Sequence, residues 1–227
     1  MMPAGGGSRL GDRISILIVD DHFIVRKGFL ALLSECDDLF VVGEAVDGNE
    51  AVDLAATLRP DVVLMDLMMP VLDGVAATRA ILDRQPETRI VVMTSAAGYQ
   101  RVLEAVRAGA LGYLAKSATQ AELLAAVRKV HRGEPWLPAA LTRQVLQHWS
   151  HRPNPGEAVT AREGELLRLV AKGLSNREIA GQLSIAEATV RTHLTRLFGK
   201  LDAANRVEAT LCALRDGWTT LEESLGG

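Results

Sequence analysis

The sequence predicts a doubly wound α/β domain built on a five-stranded parallel sheet, followed by a smaller all-α domain of four helices. Three observations lead there. Up to Gly133 the chain alternates short apolar runs with segments of helical spacing. Those runs are apolar throughout rather than alternating, as in strands covered on both faces. From Thr160 onward only helical periodicity remains.

The strands read as Ile14–Val19, Phe40–Glu44, Val62–Met65, Ile90–Thr94 and Gly112–Ala115. Between the first two, Ile24, Phe29, Leu32 and Leu33 mark one helical face. Ala51, Leu54, Ala55 and Leu58 mark the next, which stops before Pro60. In such open sheets, sites form at the carboxyl ends of the strands. Pro135, Pro138, Pro153 and Pro155 bracket a segment with one helix, Ala139 to Trp149, and Ser150 to Glu157 has linker composition. The later helices are Ala161–Ala171, Asn176–Leu183, Glu187–Leu201 and Asn205–Asp216. Thr160 and Glu163 have the spacing of a capping box. The expected division is a flexible arm over 1–13, the α/β domain over 14–133, a linker with one helix over 134–158, the helical domain over 159–217 and a tail over 218–227.

Composition excludes several classes. Of 227 residues, 48% are hydrophobic and 23% charged, ordinary for a globular protein with a real core. No apolar run is long enough to span a membrane, and the glycine-rich start lacks the apolar stretch of a signal peptide. The two cysteines, Cys36 and Cys212, sit in apolar helical surroundings. They read as small hydrophobes of a reducing, cytoplasmic setting. Net charge is −3, so nothing global marks a polyanion binder. Residues 188–206, however, carry Arg191, Arg196, Lys200 and Arg206 against Asp202 alone, and phosphates respond to local charge.

The polar residues at strand ends carry the chemistry. Asp20 and Asp21 follow the first strand, Asp66 ends the third, Thr94 the fourth and Lys116 the fifth. Each alone reads as a turn residue, a cap or solvated surface. On successive strands of a parallel sheet they converge on one edge. Three carboxylates held close repel one another unless a cation offsets them, and oxygen ligands at that density suit Mg²⁺. With Lys116 supplying charge and Thr94 a hydroxyl, Asp66 is placed to accept a phosphoryl group.

The segments Ile18-Val-Asp20-Asp21-His22, Leu64-Met-Asp66-Leu-Met-Met-Pro70, Asp73-Gly74, Met93-Thr94-Ser95 and Gly109-Ala-Leu-Gly-Tyr113-Leu-Ala-Lys116 resemble the receiver-domain signature over residues 14–132. The resemblance implies a flavodoxin-like fold and an Asp66 that takes phosphate from a cognate sensor histidine kinase. It implies Mg²⁺ held by Asp21, Asp66 and the main-chain carbonyl of Met68, with Asp20 acting through water and no organic cofactor. It also implies a switch pair, Thr94 and Tyr113. Two positions depart from the pattern. Ser117 stands where many receivers have proline, so a cis bond after Lys116 is not expected. Met68 stands where a polar side chain is common, which alters how water reaches the phosphoryl group.

In the helical region, Leu183 to Glu187 is a short break between helices, the spacing of a helix-turn-helix. Val190, Leu194, Leu197 and Leu201 share an inward face. The other face carries Arg191, Thr192, Thr195 and Arg196, which suits a major groove, with Lys200 and Arg206 nearer phosphates. From charge alone that face reads equally as solvated surface. Thr160-Ala-Arg-Glu163, Gly173-Leu-Ser-Asn176-Arg-Glu178-Ile-Ala180, Ala188-Thr-Val-Arg191-Thr-His193, Lys200-Leu and Asn205-Arg-Val-Glu208-Ala209 resemble the LuxR-type DNA-binding domain. Receiver plus LuxR-type domain is the NarL/FixJ layout. It implies a two-component transcription regulator rather than an enzyme, double-stranded DNA as partner, and a homodimer formed on phosphorylation or on DNA. A haloacid-dehalogenase-like phosphatase would need a second acid two residues after Asp66, where Met68 stands. A nucleotide hydrolase would need a glycine-rich phosphate loop, and none occurs. A flavodoxin-like binding module would not need Lys116.

Overall fold

A computed structural model describes residues 13–95, 99–148 and 159–225. The expected arm over 1–13 falls, except for Arg13, outside the described residues, as do Trp149 and the linker from Ser150 to Glu157. The first domain runs β1 (Ile14–Val19), α1 (Phe23–Ser34), β2 (Leu39–Ala45), α2 (Gly48–Leu58), β3 (Val62–Asp66), α3 (Gly74–Arg84), β4 (Arg89–Thr94), α4 (Tyr99–Arg107), β5 (Gly112–Ala115) and α5 (Gln120–His131). All strand pairings are parallel, in the order β2-β1-β3-β4-β5. The chain reverses its winding between β1 and β3, the place where doubly wound sheets of this order form a site.

Apolar burial drives the sheet. Ile16, Leu17, Ile18, Val62, Val63, Leu64 and Met65 are fully buried, each contributing roughly 1.5–3 kcal/mol. On one face, Phe29 and Leu33 of α1 and Leu123, Val127 and Val130 of α5 cover Ile16, Ile18, Leu64 and Val91. On the other, α2, α3 and α4 cover Leu17, Val63, Met65 and Val92. Caps set the helix starts. Asp47 accepts from the Asn49 and Glu50 N–H groups, Asp73 from Ala76, and Thr119 with Glu122 closes a capping box on α5. Helix α2 ends on left-handed Arg59, before Pro60.

One glycine is demanded by a close approach. A Cβ on Gly74 would collide with the Asp66 carbonyl oxygen, because the turn from β3 into α3 folds tightly around that strand end. Gly74→Ala is therefore expected to cost about 2–3 kcal/mol, in the range for overpacking against immovable backbone. A midpoint of urea unfolding unchanged from wild type would show that the turn relaxes freely.

Helix α6 (Ala139–His148) then packs against α4, and α7 (Ala161–Ala171), α8 (Asn176–Leu183), α9 (Glu187–Leu201), α10 (Arg206–Arg215) and α11 (Leu221–Leu225) follow. Both Thr160–Glu163 and Ser175–Glu178 form capping boxes. Val190, Leu194, Leu197 and Leu201 of α9 are buried together, as their spacing predicts. The stretch read as a tail departs from that expectation. Trp218 fills the space a side chain at Gly164 would occupy, its carbonyl accepts from Arg168 at 2.8 Å, and the Arg168 guanidinium lies 5.4 Å from its ring centre. Trp218 is thereby fastened to α7.

The domains touch. Apolar packing runs from the α3–α4 side of the sheet through Leu137 and Leu146 into the helical core. Asn205 donates from Nδ2 to the Val106 carbonyl at 2.6 Å, and Arg107 lies 3.6 Å from the buried carboxylate of Glu208.

Candidate functional site

The sheet delivers the strand-end residues to one point. Asp20 and Asp66 are buried, and Asp21 and His22 are exposed at the rim. Each of these four offers a ligand atom within 4.8 Å of the others. Lys116, after β5, reaches across to Asp20 at 2.6 Å and Asp66 at 2.8 Å. This β1–β3–β5 convergence follows from parallel pairing, which brings the carboxyl ends of the strands to one edge.

The electrostatics are strained in a useful direction. Burial pushes the Asp66 carboxyl above the usual aspartate range, against the pull of Lys116 and the Met68 N–H, which donates to Oδ1 at 3.2 Å. Burial pulls Lys116 down, but hydrogen bonds to Asp20 and Asp66 outweigh it and raise its pKa. Among the described residues Lys116 is the one ammonium paired into this cluster, with Asp20 and Asp66, and Asp21 lies against His22, so carboxylates outnumber it. The pocket's donors are mainly hard carboxylate oxygens, a set that fits a hard divalent cation. Beneath the site, Arg26 donates to the Asp20 carbonyl at 2.7 Å and fixes the end of β1.

The other expected residues are placed as follows. Thr94 ends β4, with its side chain outside those described. Tyr113 is half-buried on β5, and burial raises its hydroxyl pKa. Met68 is 58% exposed beside Asp66. Among the described residues there is no cis peptide bond, in line with Ser117 after Lys116. His22 was quoted in the sequence motif but given no role, yet its Nδ1 lies 2.6 Å from Asp21 and 3.3 Å from Asp20. Adjacency to the acidic pair was the signal available.

On the helical domain, Arg191, Thr192, Thr195 and Arg196 are exposed on α9. The hydroxyls of Thr192 and Thr195 donate to the Ala188 and Arg191 carbonyls at 3.1 and 3.0 Å, so outward they can only accept. Lys200 is not loose: it pairs with Glu163 at 2.9 Å. Arg206 bonds Asn176 and the Leu174 carbonyl, and burial lowers its pKa to about 10. Arg191 and Thr195 both line a cleft of about 690 Å³ whose far wall is the α/β domain.

The Glu163–Lys200 pair has a pH signature. Lys200 first, then the Thr160 N–H, holds the Glu163 carboxyl down to about 2 from its ordinary 4.5. A depressed acid stabilises above its unfolded pKa and loses that contribution as pH falls through the folded value. Lys200→Ala is expected to cost about 0.5–1 kcal/mol at pH 7. The gap from wild type should narrow as pH drops from 4.5 toward 2. Denaturant titrations across that range check it, and a gap independent of pH contradicts it.

Comparison with known proteins agrees with this geometry. Residues 16–128 match the family model described as response regulator receiver domain, and residues 157–213 match bacterial regulatory proteins, luxR family. The chain is 41% identical over 206 residues to the transcriptional regulatory protein LiaR of Bacillus subtilis, covering 89% of this chain and 98% of that protein. It is similar to the crystal structure of the response regulator ChrA of a heme-sensing two-component system, with TM-score 0.52 and 36% identity over 92% of this chain and all of that one. It also resembles RcsB from Salmonella enterica serovar Typhimurium, solved bound to promoter rprA in the presence of the phosphomimetic BeF3⁻. That match has TM-score 0.55 and 25% identity, over 90% of this chain and all of that one. With a parallel-sheet domain carrying the acidic cluster and a helix-turn-helix domain behind it, the chain belongs to the NarL/FixJ family of response regulators and is a transcription regulator.

Proposed function

We propose that Asp66 accepts a phosphoryl group from a phosphohistidine of a cognate sensor histidine kinase, and that this releases the helical domain to bind double-stranded DNA as a homodimer in the cytoplasm. The observation that carries the reading is a buried carboxylate at the β1/β3 switch point, 2.8 Å from Lys116 and beside Asp20. In the transfer, an Asp66 oxygen bonds to phosphorus, the P–N bond breaks with its electron pair going to the ring nitrogen, and the imidazole, already protonated on its other nitrogen, leaves as neutral histidine. Asp21, Asp66 and the Met68 carbonyl would hold Mg²⁺, with Asp20 acting through water. When bound, that ion offsets charge on the phosphoryl oxygens. Lys116 gives up part of its pairing with Asp66 to the incoming phosphoryl group. Phe23, Ile24 and Val71, exposed around the pocket, form an apolar rim suited to a protein partner such as the kinase.

The switch follows from position. Thr94 turns its hydroxyl toward the phosphoryl oxygen, and Tyr113 moves into the space below. Tyr113 packs in the same apolar cluster as α4, and α4 carries the Val106 and Arg107 contacts to the helical domain. In the arrangement seen, Arg191 and Thr195 face the receiver across a cleft of small-molecule size, which leaves no room for a duplex. The RcsB complex, formed on a promoter with a phosphomimetic, supports the same logic for this chain. Arg191, Thr192 and Thr195 then read bases while Arg196, Lys200 and Arg206 approach phosphates, the last two after leaving their present partners. The unit boundaries that serve this are 14–133 for the receiver and 159–217 for the DNA-binding domain.

The test is incubation with acetyl phosphate and Mg²⁺, which should yield one base-labile aspartyl phosphate. The same assay reads Met68. An exposed apolar side chain beside Asp66 cannot orient an attacking water, so the receiver's own dephosphorylation is slow. Met68→Asn or Met68→Glu should shorten the phosphoprotein's lifetime by about tenfold, less than the full effect of a positioned general base because the side chain only orients the water. Equal decay of wild type and variants contradicts this.

A further inference from the structure

The cleft between the domains has a composition that neither phosphorylation nor DNA reading requires. Its walls carry Arg89 and Arg132 from the receiver side and Arg177, Arg191 and Arg206 from the helical side, with Glu187 as the one carboxylate among the described lining residues. Nearby carboxylates offset part of this charge, Glu134 and Glu178 acting on Arg206 among others, and leave Arg89 and Arg177 with no ion pair among the described residues. Arg132 holds Glu134 in a two-pronged bond, Glu178 is folded back into the Ser175 capping box, and Glu187 sits 3.5 Å from Arg191. Arg206 is deeply enclosed, and its Nε is buried with no hydrogen-bond partner. The start of α8, at Ser175 and Asn176, also lines the cleft, its end charge offset by the Glu178 carboxylate. Guanidinium groups on two separate domains thus face one another across about 690 Å³, a volume in the range of ligand sites. With five guanidiniums against three nearby carboxylates, the remaining excess positive charge favours an anion between the walls.

We infer that this interdomain cleft is a binding site for a small polyphosphate anion, nucleoside-borne or inorganic, that bridges the receiver and the DNA-binding domain. Guanidinium forks match phosphate oxygens two at a time, and several together suit a linear chain of phosphates better than a single ion. A DNA-reading surface explains Arg191 and Arg206. It does not explain Arg89 and Arg132, which lie on the receiver. Because the anion occupies the side of α9 that faces DNA, it holds the domains closed, and by linkage DNA and anion weaken one another equally.

The experiment uses the full-length unphosphorylated protein, titrated calorimetrically with tripolyphosphate and separately with ATP, with sulfate at matched ionic strength as control. One saturable site, a raised Tm and weakened DNA binding are expected. The tighter of the two probes identifies the source as inorganic or nucleoside-borne. Arg89→Ala with Arg132→Ala is expected to lose about tenfold or more in anion affinity, as for removal of charge-assisted phosphate contacts, while keeping its ligand-free DNA affinity. Arg177→Ala, on the opposite wall, should lose affinity as well. Binding no stronger than the sulfate control overturns the proposal. So does undiminished binding by the double variant, which would put the anion on the DNA-reading face alone. Asp66 phosphorylation is scored separately, so failure here and failure there are distinguishable.

Discussion

Asp66→Asn is expected to abolish phosphorylation by acetyl phosphate or kinase while leaving the protein folded. The amide has no anionic oxygen with which to attack phosphorus, and Asp20, the other carboxylate paired with Lys116, is fully buried. Loss should exceed about a hundredfold, as for removal of a covalent nucleophile. Stability should move the other way. Burial raises the Asp66 pKa, so its contribution to stability is present below the unfolded pKa and is lost as pH rises through the folded value. Neutral Asn escapes that loss, and the Tm of the variant at pH 7 should equal or exceed wild type. Phosphate appearing at full level on the Asn variant would move the acceptor elsewhere.

Arg107→Glu is expected to give strong DNA binding without any phosphodonor. Arg107 faces Glu208, which is 4% exposed and also accepts from the Ala204 N–H at 2.7 Å. A carboxylate placed there meets a buried, hydrogen-bonded carboxylate at the junction of α4 and α10, and the closed arrangement is penalised. A shift of about tenfold or more in unphosphorylated DNA affinity corresponds to about 1.4 kcal/mol or more of bias between closed and open forms. Fluorescence anisotropy on a selected operator measures it. An R107E protein that still binds DNA only when phosphorylated would show that this contact does not hold the domains shut.

The sequence was informative where one residue's neighbours along the chain decide its environment. Strand limits were read to within one residue, and the capping box of Thr160 and Glu163 marked the observed start of α7. The acidic pocket was legible because a parallel sheet carries every strand end to the same edge. Contacts between elements distant in sequence were not. Periodicity says which face of α9 is apolar but not that Arg191 on the opposite face looks at Arg89 and Arg132. Lys200 reads as a free cation until Glu163, on another helix, is folded against it. Trp218 reads as part of a tail because its partner is the absence of a side chain at Gly164.

On the proposed mechanism, phosphate on Asp66 controls access of α9 to DNA. The most direct measurement is the DNA affinity of full-length wild type and Asp66→Asn, each with and without acetyl phosphate and Mg²⁺, on a sequence selected from a random pool. Phosphodonor should tighten wild-type binding by about tenfold or more and leave the Asn variant weak under both conditions, within the usual span of allosteric coupling. Unphosphorylated wild type binding as tightly as the phosphorylated protein would contradict that mechanism.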